Sequence, residues 1–210
     1  MIKFYNTPHI FKHLFPSILW EIDTQNKALF LTFDDGPHKT NTAKILDLLS
    51  EYTAKATFFM SGKNAERFPD VVHEVKNQGH TVGNHFYSHE KIWLKNCISI
   101  KNEIEKTDEV LRECTGDNSF FVRPPYGTIT PALKRAVSEA GKKIVLWTTN
   151  SYDFLADTAL SQFKLKNGRR ITPGSILLFH DGQENCNVTI ELVRYVLECF
   201  SARGFLFRGL

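Results

Sequence analysis

Along the chain, short apolar runs rich in Phe, Val, Ile or Leu alternate with longer segments in which apolar residues return every three or four positions. Seven runs of the first kind stand out, at 28–33, 56–60, 80–83, 119–122, 143–147, 175–179 and 205–208. They lack the polar alternation of a half-exposed strand, so they read as strands covered on both faces, in a mainly parallel sheet flanked by helices. Between the first two, Ile45, Leu48, Leu49 and Tyr52 share a helical stripe, with Thr40 or Asn41 as N-cap. Ile100, Ile104, Thr107, Leu111 and Cys114 form a second stripe between Asn96 and Gly116, a glycine suited to a helix stop. Thr130-Pro131 opens a third helix, carrying Leu133, Ala136, Val137 and Ala140 and ended by Gly141. Pro69 opens another that ends near Gly79, and a last one runs over 187–203. The fold class is α/β, as a doubly wound sheet or an incomplete (β/α) barrel. Both gather their ligands at the carboxyl ends of the strands.

Those ends carry the polar chemistry. The first strand ends in Asp34-Asp35-Gly36-Pro37, the third in Asn84-His85 and the fourth in Arg123-Pro124-Pro125-Tyr126-Gly127. The fifth runs into Asn150-Ser151-Tyr152-Asp153-Phe154, and the sixth ends in Leu178-Phe179-His180-Asp181. Asp-Gly-Pro alone signals a turn. Two adjacent carboxylates at a strand end, however, point different ways, which lets one bind a metal while the other stays free as a base. His85 and His89 are four residues apart and share one face if the backbone is helical there. Joined by Asp35 they offer two neutral imidazoles and one carboxylate, which suits Zn2+ and leaves a position for water. The same set serves non-haem iron, a reading the α/β context disfavours by analogy. His180 closes an apolar run and is expected to face a strand-end cleft. His73 and His80 read as structural or surface residues, His38 as exposed, and His9 and His13 as without a role.

Composition narrows the function classes. The 210 residues, 42% hydrophobic and 23% charged, make one globular domain and exclude disordered, collagenous and membrane-spanning chains. A net charge of +3 is too small to argue for nucleic acid as a partner. Cys97, Cys114, Cys186 and Cys199 show no C-x-x-C pairing and read as reduced thiols. After Met1-Ile2-Lys3-Phe4, the stretch from Ile10 to Ile22 is broken by Lys12, His13 and Pro16, so no signal-peptide core is expected. The expectation is a cytoplasmic protein with no transmembrane segment, the cell-envelope side being the alternative for a trimmed chain. Phe11, Leu14, Phe15, Ile18, Leu19 and Trp20 are expected to dock on the domain, with peripheral membrane contact by residues 10–22 as the alternative. Residues 1–27 thus form a lead segment and 28–210 a catalytic domain. Nothing in the residues sets an oligomeric state.

Over roughly residues 28 to 208 the chain resembles the polysaccharide deacetylases, the NodB-homology or carbohydrate esterase family 4 proteins. Five motifs occur in order: Thr32 to Pro37, His85 to His89, Arg123 to Tyr126, a degenerate fourth near Asp153, and Leu178 to His180. The resemblance implies a distorted (β/α) barrel with seven strands that hydrolytically removes acetyl groups from N-acetylated sugars, such as peptidoglycan or chitin oligosaccharides. It implies Asp35, His85 and His89 as ligands of Zn2+, or of Co2+ in its place. Asp34 is then the general base and His180 the general acid. Arg123 orients Asp34, Asp153 holds His180, the backbone N–H of Tyr126 helps hold the oxyanion, and Leu178 lines the acetyl pocket. Two positions depart from the family pattern: Asn150 replaces an aspartate, and Phe154 replaces a tryptophan while still supplying an apolar wall. The competing readings are a non-catalytic carbohydrate-binding relative, an O-acetyl esterase of the xylan type, and a metal-independent glycosidase. The last needs two carboxyls about 5 to 9.5 Å apart and has no use for the histidine pair.

Overall fold

The computed structural model describes residues 7–155, 170–184 and 186–210; the Met1-to-Phe4 start of the leader reading lies outside them. Eight strands occur among the described residues: β1 (Ala28–Asp34), β2 (Ala56–Met60), β3 (Thr81–Asn84), β4 (Phe121–Val122), β5 (Lys143–Ile144), β6 (Thr149–Asn150), β7 (Ile176–His180) and β8 (Leu206–Phe207). They form one curled parallel sheet in the order β5-β4-β3-β2-β1-β7-β6, with β8 beside the start of β1. Around it lie α1 (His9–Leu14), α2 (Asn41–Glu51), α3 (Gly62–Arg67), α4 (Pro69–Asn77), α5 (Cys97–Thr115), α6 (Pro131–Glu139) and α7 (Asn187–Ser201). Every residue of β1 and β2 is buried, as their unbroken apolar runs require. One core layer packs β1, β2 and β7 against α2, α4 and α7. A second joins α5 and α6 to Ile18 and Trp20 of the lead segment.

Two helices start at an N-cap residue whose side chain satisfies one of their first N–H groups. Asn96 accepts from Ser99 N–H to open α5, and Thr130 accepts from Leu133 N–H to open α6. Gly116 stops α5 in the left-handed conformation, φ 73°. At α2 the N-cap position is Thr40, as expected, but the capping acceptor differs. Thr40 makes no side-chain cap, and Nδ1 of His38 accepts instead from the N–H groups of Asn41 at 3.2 Å and Thr40 at 3.3 Å. His38 is therefore a half-buried cap, not an exposed side chain.

The fifth apolar run does not remain one strand. It pairs with β4 through β5, and Val145 N–H still donates to Val122 O. The chain then crosses the opening of the sheet, Thr148 N–H donates to Ile176 O, and Thr149 and Asn150 pair with β7 as β6. One bent stretch thus supplies both edges and closes the barrel, which is why eight strands replace the seven counted. Residues 19–22 fill the wedge beside the crossing. Leu19 bridges Val145, Glu21 bridges Ser175, and Ile22 N–H donates to Gly174 O. Ile18 and Trp20 are buried there, whereas Ile10 and Leu14 on α1 are 58% and 61% exposed. Among the described residues no helix is long and apolar enough to cross a membrane. All four cysteines are free.

Candidate active site

At the end of β1, Asp34 is buried and Asp35 turns into the left-handed region at φ 74°, so the adjacent carboxylates diverge. Asp35 Oδ1 lies 3.3 Å from His85 Nε2 and 3.0 Å from His89 Nε2. The three ligand atoms all fall within 4.8 Å of one another. The two imidazoles do not converge along a helix, as their spacing suggested. They sit on an irregular loop after β3, bent by positive φ at Phe86 (65°) and His89 (54°). Buried Asn84 sets this bend: its Oδ1 accepts from Phe86 N–H at 2.9 Å, while its Nδ2 donates to Ile104 O and Asp108 Oδ1, each at 2.8 Å. His85 Nδ1–H donates to Arg123 O at 2.7 Å, which fixes the tautomer and leaves the Nε2 lone pair facing Asp35.

This donor set fits a dication. Neither imidazole meets Asp35 Oδ1 in hydrogen-bond geometry, so that buried oxygen has no donor among the described residues. The two spacings from Asp35 Oδ1, 3.3 and 3.0 Å, are close to the edges of about 3.3 Å that a tetrahedral zinc site with bonds of about 2.0 Å requires. Burial opposes ionisation of Asp35, yet the imidazoles beside it hold its carboxyl well below the usual carboxylate range. Burial likewise pushes His85 down, but Asp34 and Asp35 together lift it above its ordinary value. Of the six non-glycine residues with positive φ among those described, Asp35, Phe86, His89, Tyr126 and Tyr152 belong to this rim and only Thr53 does not. Each such conformation costs on the order of 1–3 kcal/mol and persists where the surroundings over-determine it, which marks the rim as a functional region.

Two charge pairs flank the trio. Arg123, wholly buried, donates from Nη1 to Asp34 Oδ1 and to Thr32 Oγ1, both at 2.7 Å. Its Nε and Nη2 donate to the carbonyls of Val145 (3.2 Å) and Leu146 (3.0 Å), and the guanidinium lies 4.1 Å from the Phe59 ring. His180 stands opposite Asp34 in the β1–β7 register. Its Nδ1–H donates to Asp153 Oδ1 at 2.7 Å. Asp153 Oδ2 accepts from His180 N–H and from the Thr189 hydroxyl, both at 2.8 Å. Burial alone lowers His180, but the Asp153 carboxylate, with Asp34 and Asp35 behind it, raises the imidazole to about 9. Asp34, Asp35, His85, His89 and His180 open on a cleft of about 630 Å³ with apolar walls from Tyr126, Trp147, Tyr152, Phe154 and Leu178, while Arg123 and Asp153 stand behind it. The Tyr126 ring lies 4.9 Å from that of His89, and Phe154 stands edge-on to His180 at 5.3 Å.

Residues 21–145 match the polysaccharide deacetylase family profile. The chain belongs to the polysaccharide deacetylase family. It is 41% identical over 156 residues to a peptidoglycan-N-acetylglucosamine deacetylase of Bacillus cereus, covering 74% of this chain and 56% of that protein. Against the chitooligosaccharide deacetylase of Azorhizobium caulinodans it is 30% identical over 203 residues, covering 89% of this chain and 95% of the relative. In three dimensions it resembles the Bc1960 peptidoglycan N-acetylglucosamine deacetylase in complex with 4-naphthalen-1-yl-N-oxidanyl-benzamide. That likeness has a TM-score of 0.86 at 32% identity and covers 97% of this chain and 95% of the other. The distorted α/β barrel is thus the architecture of polysaccharide deacetylases, reached here through a bent fifth strand.

In this deacetylase-family chain several site residues escape sequence reasoning. Trp147 lines the cleft at the end of an apolar run, the same positional signal that singled out His180. Asn150, where the family pattern has aspartate, lines the cleft, and its Oδ1 accepts from Tyr152 N–H at 2.9 Å. Thr32 and Thr189 act through contacts between distant strands and helices, for which no local pattern exists. Asp181 is wholly buried beneath the acidic turn, where the Thr42 hydroxyl donates to it and burial pushes its carboxyl up to about 7. A Cβ on Gly36 would come within 2.4 Å of that carboxylate, so a larger residue in the turn would force the Asp181 side chain to shift. His73 and His80 do not line the cleft.

Proposed function

We propose that this chain hydrolyses N-acetyl groups of N-acetylglucosamine glycans, peptidoglycan or chitin oligosaccharides, using a divalent cation held by Asp35, His85 and His89. Two nitrogens and one carboxylate favour Zn2+, with Co2+ an acceptable substitute. Metal dependence is general in the family. One observation carries the reading: the three-ligand cluster opens on the same cleft as an arginine-paired carboxylate and an aspartate-paired imidazole. Residues 28–210 serve in this reading as the catalytic domain, with 1–27 as its lead.

The cation, when bound, would supply Lewis acidity and lower the pKa of water far below its bulk value, towards about 7. Asp34 presents Oδ2 as the base, because Arg123 occupies Oδ1 and fixes the carboxylate plane. His180, raised to about 9, is protonated at neutral pH. Its Nδ1 is taken by Asp153, so Nε2 delivers the proton to the departing amine, which as an anion is too poor a leaving group. The N–H of Tyr126 serves the developing oxyanion, a donor whose loss typically costs about 100- to 1000-fold in rate. Leu178, Phe154 and Trp147 enclose the acetyl methyl and exclude water around it.

The test is acetate release from defined N-acetylglucosamine oligomers, peptidoglycan and acetylated xylan, on protein stripped by chelator and then resupplied with Zn2+. Release from the N-acetylated substrates that vanishes on stripping and returns with Zn2+ is the expected result. Release indifferent to stripping overturns the metal role, and release confined to xylan overturns the amide substrate. Glycan shortening without acetate marks a glycosidase, and no product from any arm marks a binding relative.

A further inference from the structure

The loop that delivers His89 is fastened to α5 by a carboxylate for which the roles above have no use. Glu103, half-buried on α5, accepts at Oε2 both the backbone N–H and the hydroxyl of Ser88, each at 2.8 Å. Its Oε1 lies 3.6 Å from Lys95 Nζ, and Lys95 pairs in turn with Glu90 Oε2 at 2.9 Å. The residues immediately before and after His89 are thus tied to one side chain, the first directly and the second through Lys95. Between them His89 holds φ 54°, a conformation that a residue with a Cβ keeps only under constraint. His85 needs no such help, being buried and anchored by its own bond to Arg123 O.

We propose that Glu103 is a positioning residue of the metal site, holding His89 in its left-handed turn so that Nε2 stays in joint reach with Asp35 and His85. The inference rests on the metal-ligand reading above. Burial opposes ionisation of Glu103, but the Ser88 donors and Lys95 hold its carboxyl below the usual range, so at neutral pH it only accepts hydrogen bonds.

Zn2+ affinity, read by competition with a chromophoric chelator on the metal-free full chain beside its thermal unfolding, tests this. Glu103→Ala is expected to bind Zn2+ about 10- to 100-fold more weakly. Glu103→Gln, whose amide oxygen still accepts from Ser88, is expected to recover most of that loss. Ser88→Ala removes one of the two bonds and is expected to weaken binding about two- to tenfold, which decides the matter if Glu103→Ala does not fold. Unchanged affinity in either alanine variant, even with a lowered unfolding temperature, overturns the proposal, since the carboxylate then only stabilises the loop. A wild-type chain that takes up no Zn2+ overturns the metal reading itself, and that failure is visible before any substitution is made.

Discussion

Asp34 has one oxygen spoken for by Arg123 and the other facing the cleft, 3.8 Å from His85 Nε2. Asp34→Asn leaves Asp35, His85 and His89 untouched, so it is expected to retain stoichiometric Zn2+ while turnover falls about 100- to 10,000-fold. Metal analysis beside kcat on an N-acetylglucosamine oligomer checks this; loss of the ion would refute the base assignment. At His180 the sign of the pH effect follows from its rise to about 9 from the ordinary 6.5. The acid form persists below the raised value, so kcat/KM falls as pH climbs through it. A bound dication offsets the share due to Asp35 and sets this limb of the loaded enzyme lower. Asp153→Asn removes the main raising charge and leaves only Asp34 and Asp35 to oppose burial, so the alkaline limb of its kcat/KM profile is expected to move to lower pH. The same coupling makes the pair's contribution to folding complete below pH 6.5 and lost as pH rises through about 9. Asp34 and His180 were legible in sequence because each ends an apolar run, whereas Asp153 follows an apolar run only after five further residues and was reached through the family resemblance. Glu103 and Thr189 were not legible, since a helix residue meeting a loop from another unit leaves no local trace.

Helices whose first turn is served by a side chain of ordinary capping type were read with nearly correct bounds. Asn96 opens α5, which carries Asp108 and Glu103 beneath the histidine loop, and Asn96→Ala is expected to cost about 1 kcal/mol in urea unfolding. The start of α2 after Thr40 was read correctly but its capping acceptor was missed, because histidine is not among the residues expected to cap, although His38 Nδ1 supplies the same acceptor as a serine hydroxyl. The six residues of α3 are too few to show periodicity. The histidine loop is the instructive case, because a separation of four suits both a helical turn and a bent loop. What decides between them, buried Asn84 gripping Phe86 N–H, rests on a single side chain with no period.

The closure of the barrel was the least legible feature. Apolar residues continue without a break from Ile144 to Trp147, so nothing in the pattern marks where the strand leaves β4 for β7. The wedge at that crossing depends on Gly174, at φ 85°, where a Cβ would lie 2.0 Å from Ile22 O. Gly174→Ala therefore forces residues 19–22 and the start of β7 apart. It is expected to destabilise the protein by more than about 1 kcal/mol, read as a lowered unfolding temperature. The peptide wedged there also reaches inward: Leu146 N–H donates to Leu19 O, while Val145 O and Leu146 O hold the guanidinium that holds Asp34. The tether of the reacting carboxylate thus runs through the seam of the barrel to a segment near the surface. Damage to that remote plug is felt as a drifting proton acceptor before the molecule comes undone.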